Sequence, residues 1–137
     1  MILIGHDQVV ADWVAKAIKK QFCPPYTAIG TVDADGRLTG GAVFTNYTGD
    51  AVELSIAGGG VVNRAAWRAI AHYVFEQMGC SRLTIHTSAK NKRVRRMAPK
   101  FGFVFEGTAR NLYGSVNGLC YSLVRDDISS IKQRWRL

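Results

Sequence analysis

The chemistry-bearing residues of this 137-residue chain concentrate at a glycine triplet and a basic run. Gly58, Gly59 and Gly60 stand in a row, four residues before Arg64. A glycine loop between a strand and a helix leaves backbone N–H groups free at the helix start, where the helix dipole favours an anion. Arg64 in the first turn adds a planar guanidinium that can pair with phosphate. The same glycines could also do no more than turn the chain. The unit is neither GxGxxG nor a Walker loop, which weakens dinucleotide and nucleotide-hydrolase readings. In residues 90–100, six of eleven are Lys or Arg and none is acidic. Such a run is ordinarily a solvated helix face, though it could also meet nucleic-acid phosphates. The formal net charge of +8 points to anionic partners in either case.

Single residues say less. His72 shares an i, i+4 stripe with Arg64, Arg68 and Glu76, a solvated helix face. His86 alternates with Leu83 and Ile85, so it points away from them, either into a cleft or beneath a helix. Cys23, Cys80 and Cys120 are isolated and odd in number. They read as free buried thiols, with no spacing that suggests zinc or another metal. A catalytic cysteine would need a neighbouring base.

The elements that must position these groups follow from periodicity. Apolar residues make up 47% and charged residues 20%, enough for a globular core, and the length suits one domain over residues 1–137. No stretch is apolar enough for a membrane span, and the start does not read as a signal peptide, so a cytoplasmic location is expected. Residues 7–20 are periodic for a helix, with Asp7 as its N-cap. Strands are expected over 27–32, 38–46 and 51–57, joined by short turns. A helix over 64–78, capped by Gly79, leads to a strand over 82–87, which makes residues 51–87 one βαβ crossover with parallel strands. A second helix, 91–98, should stop or kink at Pro99. A strand then starts at Phe101, residues 111–117 read as a loop, and 118–125 as the last strand. The basic tail from 128 has no assignable structure.

In order along the chain come the helix ending at Gly79, the strand 82–87, Asn91 at a helix start, then Gly102-Phe103 and Glu106-Gly107. This ordered set resembles the C-terminal half of the GNAT family, the Gcn5-related N-acetyltransferases, over roughly residues 50–110. The resemblance implies an α/β (α+β) fold: a mixed central sheet with antiparallel N-terminal strands, the βαβ crossover, and helices on both faces. It implies acetyl-CoA as cofactor, with Ile56, Ala57, Gly60, Asn63, Arg64, Asn91, Lys92 and Arg93 as the residues to hold it. It implies transfer of an acetyl group to an amine, on a small molecule or a protein. Glu53 stands where the family places a base, and Tyr113 is the candidate acid. Two positions depart from the family pattern. Trp67 replaces the first glycine of the pyrophosphate loop, and Ala98 replaces the tyrosine seven residues after the Asn. A GNAT-fold protein without catalysis, acting as a binding or structural module and meeting nucleic acid through residues 90–100, is therefore the alternative. The general likeness is to small divergent members of the family, some of which phages encode. Trp135 and the last strand could serve a dimer.

Overall fold

The computed structural model describes residues 1–128; the basic tail and Trp135 lie outside the described residues. The first helix, α1 (Asp7–Ile18), buries Val10, Ala11 and Val14 against Ala28 and Val43. Asp7 is not its cap. It is the first helical residue, after His6, and its Oδ1 accepts the Ala28 amide at 2.9 Å, which pins the helix start to the sheet.

Seven strands form one mixed sheet. They are β1 (Ile2–Leu3), β2 (Thr27–Val32), β3 (Leu38–Thr45), β4 (Ala51–Ala57), β5 (Arg82–Ser88), β6 (Val104–Tyr113) and β7 (Val116–Val124), in the order β1-β2-β3-β4-β5-β7-β6. Among the described strands β4 and β5 are the one parallel pair, and the other pairings are antiparallel. The parallel pair is joined by α2 (Arg64–Ala71), which continues as a π-helical turn over His72–Gln77. Together with α3 (Lys92–Lys100), α2 covers the sheet face opposite α1. Strand alternation sorts the side chains. Val52 and Leu54 of β4, with Leu83 and Ile85 of β5, enter the core with Trp67, Ile70, Val94 and Met97. Glu53, Ser55, Thr84 and His86 therefore point to the α1 side.

Four further expectations need correction. Helix α3 runs through Pro99 to Lys100. Two turns already precede the proline, so only the final turn loses a hydrogen bond. Phe101 and Phe103 are not strand residues. They are buried and pack on Trp67, with centroids 4.6 Å and 5.6 Å away, so β6 begins at Val104. Residues 111–117 are the tip of the β6–β7 hairpin rather than a loop. Asn111 takes a left-handed φ of 56°, and its amide bonds to Asn117 Oδ1 at 3.0 Å, so the turn-forming asparagines close a bulge inside the hairpin. Of the three free thiols, only Cys80 is buried; Cys120 is half-buried and Cys23 exposed.

Candidate active site

The two parallel strands pair only from Ala51↔Arg82 to Leu54↔Ile85. Beyond that point β4 stays with β3 as far as Ala57, while β5 follows β7 as far as Ser88. The strands part, and a cavity of about 360 Å³ opens between them. Ser55, Ile56, His86, Thr87, Asn91 and Tyr113 are among its walls. Strand backbone groups alternate between the two edges, so each parted strand turns unpaired N–H and C=O groups into the opening.

A Glu–His pair stands on the α1 side. Glu53 Oε1 lies 2.8 Å from His86 Nδ1, and Asn46 Nδ2 donates to Glu53 Oε2 at 2.7 Å. Asn46 reaches the carboxylate because it follows Thr45, the register partner of Glu53, in a left-handed turn with φ 54°. Burial pushes the Glu53 carboxyl up. Hydrogen bonds from His86 and Asn46, with the charges of His86 and Lys20, outweigh this and hold it below the usual carboxylate range. An ionised carboxylate only accepts, so His86 Nδ1 donates to it, an arrangement that in the neutral ring leaves Nε2 as the acceptor. His86 lines the cavity, whereas Glu53 does not. Tyr113, on the hairpin tip, also lines it. Burial, and secondarily the Glu53 charge, raise its hydroxyl above the usual range, so it stays protonated at neutral pH.

The cavity leads into a second depression lined by Ile56, Ala57, Gly58, Asn91, Arg93 and Met97. That one shares Val62, Arg93 and Met97 with a third, where Asn63, Arg64, Arg96 and Lys100 also lie. The three form one groove. It is cationic at the α2–α3 end, apolar in the middle, and ends at the Glu–His pair.

Most of the residues singled out from sequence meet here. Ile56, Ala57, Asn63, Arg64, Asn91 and Arg93 line the groove. Asn63 and Asn91 are also N-caps, accepting the Ala66 amide at 2.9 Å and the Val94 amide at 3.2 Å. Gly60 and Lys92 are not among the lining residues. A Cβ at Gly60 would collide with the Thr31 and Thr39 hydroxyls, which explains the glycine by packing. Gly59 is the open one, its Cβ direction facing Arg93 Nη2. Lys92 and Arg95 are exposed on α3, and Arg95 Nη1 donates to the Ala89 carbonyl. The basic run is thus split between helix faces. Arg96 and Lys100 were not singled out in advance, although their i+3 and i+7 spacing from Arg93 marks the shared face.

Both departures from the family pattern lie in the core. Trp67 is 5% exposed and stacks on Phe101, pointing into the protein rather than at the groove. Ala98 is fully buried and carries no proton to donate. Glu106, part of the Gly-Phe-x-x-Glu-Gly run, forms a two-pronged pair with Arg82.

The architecture is the GNAT fold, and its structural neighbours are acetyltransferases of that fold. A protein named as a probable acetyltransferase aligns at 25% identity, with a TM-score of 0.65 over 74% of this chain and 62% of that one. The spermidine/spermine N-acetyltransferase SpeG from Vibrio cholerae aligns at 17% identity and a TM-score of 0.65, over 77% of this chain and 68% of SpeG. A protein from T. thermophilus, described provisionally as an acetyltransferase, gives 17% and 0.73, over 83% of this chain and 66% of that one. The chain therefore spans less than two thirds of the length of two of these three. No family model and no curated protein matches the sequence, and these neighbours lend no support to a phage origin. Among the described residues no helix is long and apolar enough to cross a membrane.

Proposed function

We propose that the protein transfers an acetyl group from acetyl-CoA to an amine. The observation that supports this reading is the groove, whose cationic end and apolar middle suit the phosphates and the pantetheine arm of the cofactor. Arg64, Arg93, Arg96 and Lys100 offer a cation cluster for the pyrophosphate and 3′-phosphate, beside the α2 N-terminus. The apolar stretch at Ile56, Val94 and Met97 suits the pantetheine arm, and the unpaired edge of β4 offers hydrogen bonds to its amides. When bound, acetyl-CoA supplies an acetyl group on a thiolate leaving group.

The residues of the chain do the rest. His86 Nε2 accepts the proton of the incoming amine, while Glu53 fixes the ring's tautomer and stabilises the imidazolium that forms. Asn46 holds Glu53 in place. This assigns the base to His86 and makes Glu53 its positioning residue. Tyr113 is the proton donor on the cavity wall, in the role that Ala98 cannot fill.

The acceptor is an amine on a neutral or anionic molecule. Lys19 and Lys20 stand at the cavity wall, no carboxylate is among its described lining residues, and the chain carries +8. A polyamine, the substrate named for SpeG, would be repelled. Mass-detected acetyl transfer across a panel of amino acids, simple amines and spermidine tests this. Transfer to the first two classes is expected, falling about 10²- to 10⁴-fold in His86→Gln, the usual contribution of a general base. No transfer to any amine together with no acetyl-CoA binding would sink the proposal, and spermidine as the preferred acceptor would overturn the assigned acceptor class.

A further inference from the structure

The amine nearest this site belongs to the chain itself. Lys20 lies just past the end of α1. Lys19 takes the left-handed conformation, φ 53°, and the Lys20 amide returns to the Ala15 carbonyl at 3.0 Å, so the helix stop fixes where the Lys20 side chain begins. The half-buried side chain brings Nζ to 5.4 Å from the Phe22 ring centroid and to 3.2 Å from Ser55 Oγ, to which it donates. Ser55 is the first β4 residue beyond the last β4–β5 pair, Leu54↔Ile85. The Lys20 nitrogen is thus held at the point where the strands part, on the same sheet face as the Glu53–His86 pair. On the acetyltransferase reading, an acceptor nitrogen has to arrive at this point.

We propose that Lys20 is an acceptor in its own right, and that the protein acetylates it in cis. The inference rests on the acetyltransferase reading above. His86 Nε2 takes one proton from the Lys20 ammonium, with Glu53 behind the ring. The freed lone pair on Nζ attacks the thioester carbonyl carbon, forming the C–N bond as the C–S bond breaks. The nitrogen loses its second proton as the carbonyl re-forms, and that proton passes to the leaving thiolate, directly or relayed through Tyr113 or water. The products are a neutral Nε-acetylated Lys20 and free coenzyme A. No oxidant or further reactant is needed. The modification removes one positive charge from the cavity wall and fills the acceptor position, so it also limits turnover with outside amines.

The test incubates the purified full chain with acetyl-CoA, followed by intact-mass and peptide-mass analysis, with acetyl-CoA binding measured by calorimetry on the same samples. One acetyl group per chain is expected, at Lys20, at a rate unchanged on dilution. It should be lost completely in Lys20→Arg and in heat-denatured protein. It should persist in Lys16→Arg, whose lysine is exposed one turn earlier on α1. Binding of acetyl-CoA without modification of Lys20 overturns this inference alone, and a rate that falls on dilution overturns transfer in cis. Absence of both binding and modification overturns it together with the acetyltransferase reading.

Discussion

At the scale of single residues the informative group is the Glu53–His86–Asn46 constellation. Folding depresses the Glu53 pKa, so the folded protein favours the ionised carboxylate more than the unfolded chain does. The resulting stabilisation is present above the unfolded carboxylate value of about 4.3 and is lost as the pH falls through the lower folded value. Urea unfolding at neutral and acid pH should therefore show wild type losing more stability on acidification than Glu53→Gln; equal losses would argue against the pairing. The sequence placed Glu53 on its strand and indicated the facing of His86, because strand parity is local. It could not reveal the pair, because that depends on a parallel register between β4 and β5. Asn46 was invisible for a similar reason. Its contact needs the β3–β4 register and a left-handed turn, neither of which a lone asparagine announces.

At the scale of elements, packing decided what periodicity could not. The strands 27–32 and 51–57 and the start of α2 were legible to the residue, since Gly, Pro and Asn mark their ends. The C-terminal part was read less well. Phe101 and Phe103 look like strand residues by type, yet they serve as the floor on which Trp67 stacks. Trp67→Ala should cost about 3–5 kcal/mol in chemical unfolding, the usual loss on emptying an aromatic site. Trp67→Phe should cost much less, because the buried indole Nε1 has no hydrogen-bond partner among the described residues. A loss for the phenylalanine variant as large as that for the alanine variant would contradict this. Asn91→Ala should cost about 1 kcal/mol through the lost cap on the Val94 amide, checked by the same unfolding curves.

At the scale of the whole molecule, the net charge of +8 acquires a direction. The sequence showed a basic run but not its division, which depends on how α3 sits against α2. Arg93, Arg96 and Lys100 share the groove with Arg64, while Lys92 and Arg95 face elsewhere. The groove in turn exists because β4 and β5 pair for only four residues and then follow different neighbours. Fold, charge and the Glu–His pair converge on one trough, the place proposed for acetyl-CoA, a phosphate-bearing thioester. The most direct measurement is a calorimetric titration of acetyl-CoA into wild type and into Arg93→Ala/Arg96→Ala, at low and moderate salt. One-to-one binding is expected, weakened by salt and at least about tenfold by the double substitution, given the strength of charge-assisted contacts to phosphate. Folded wild-type protein that binds no acetyl-CoA, or binding that the double substitution leaves unchanged, would contradict it.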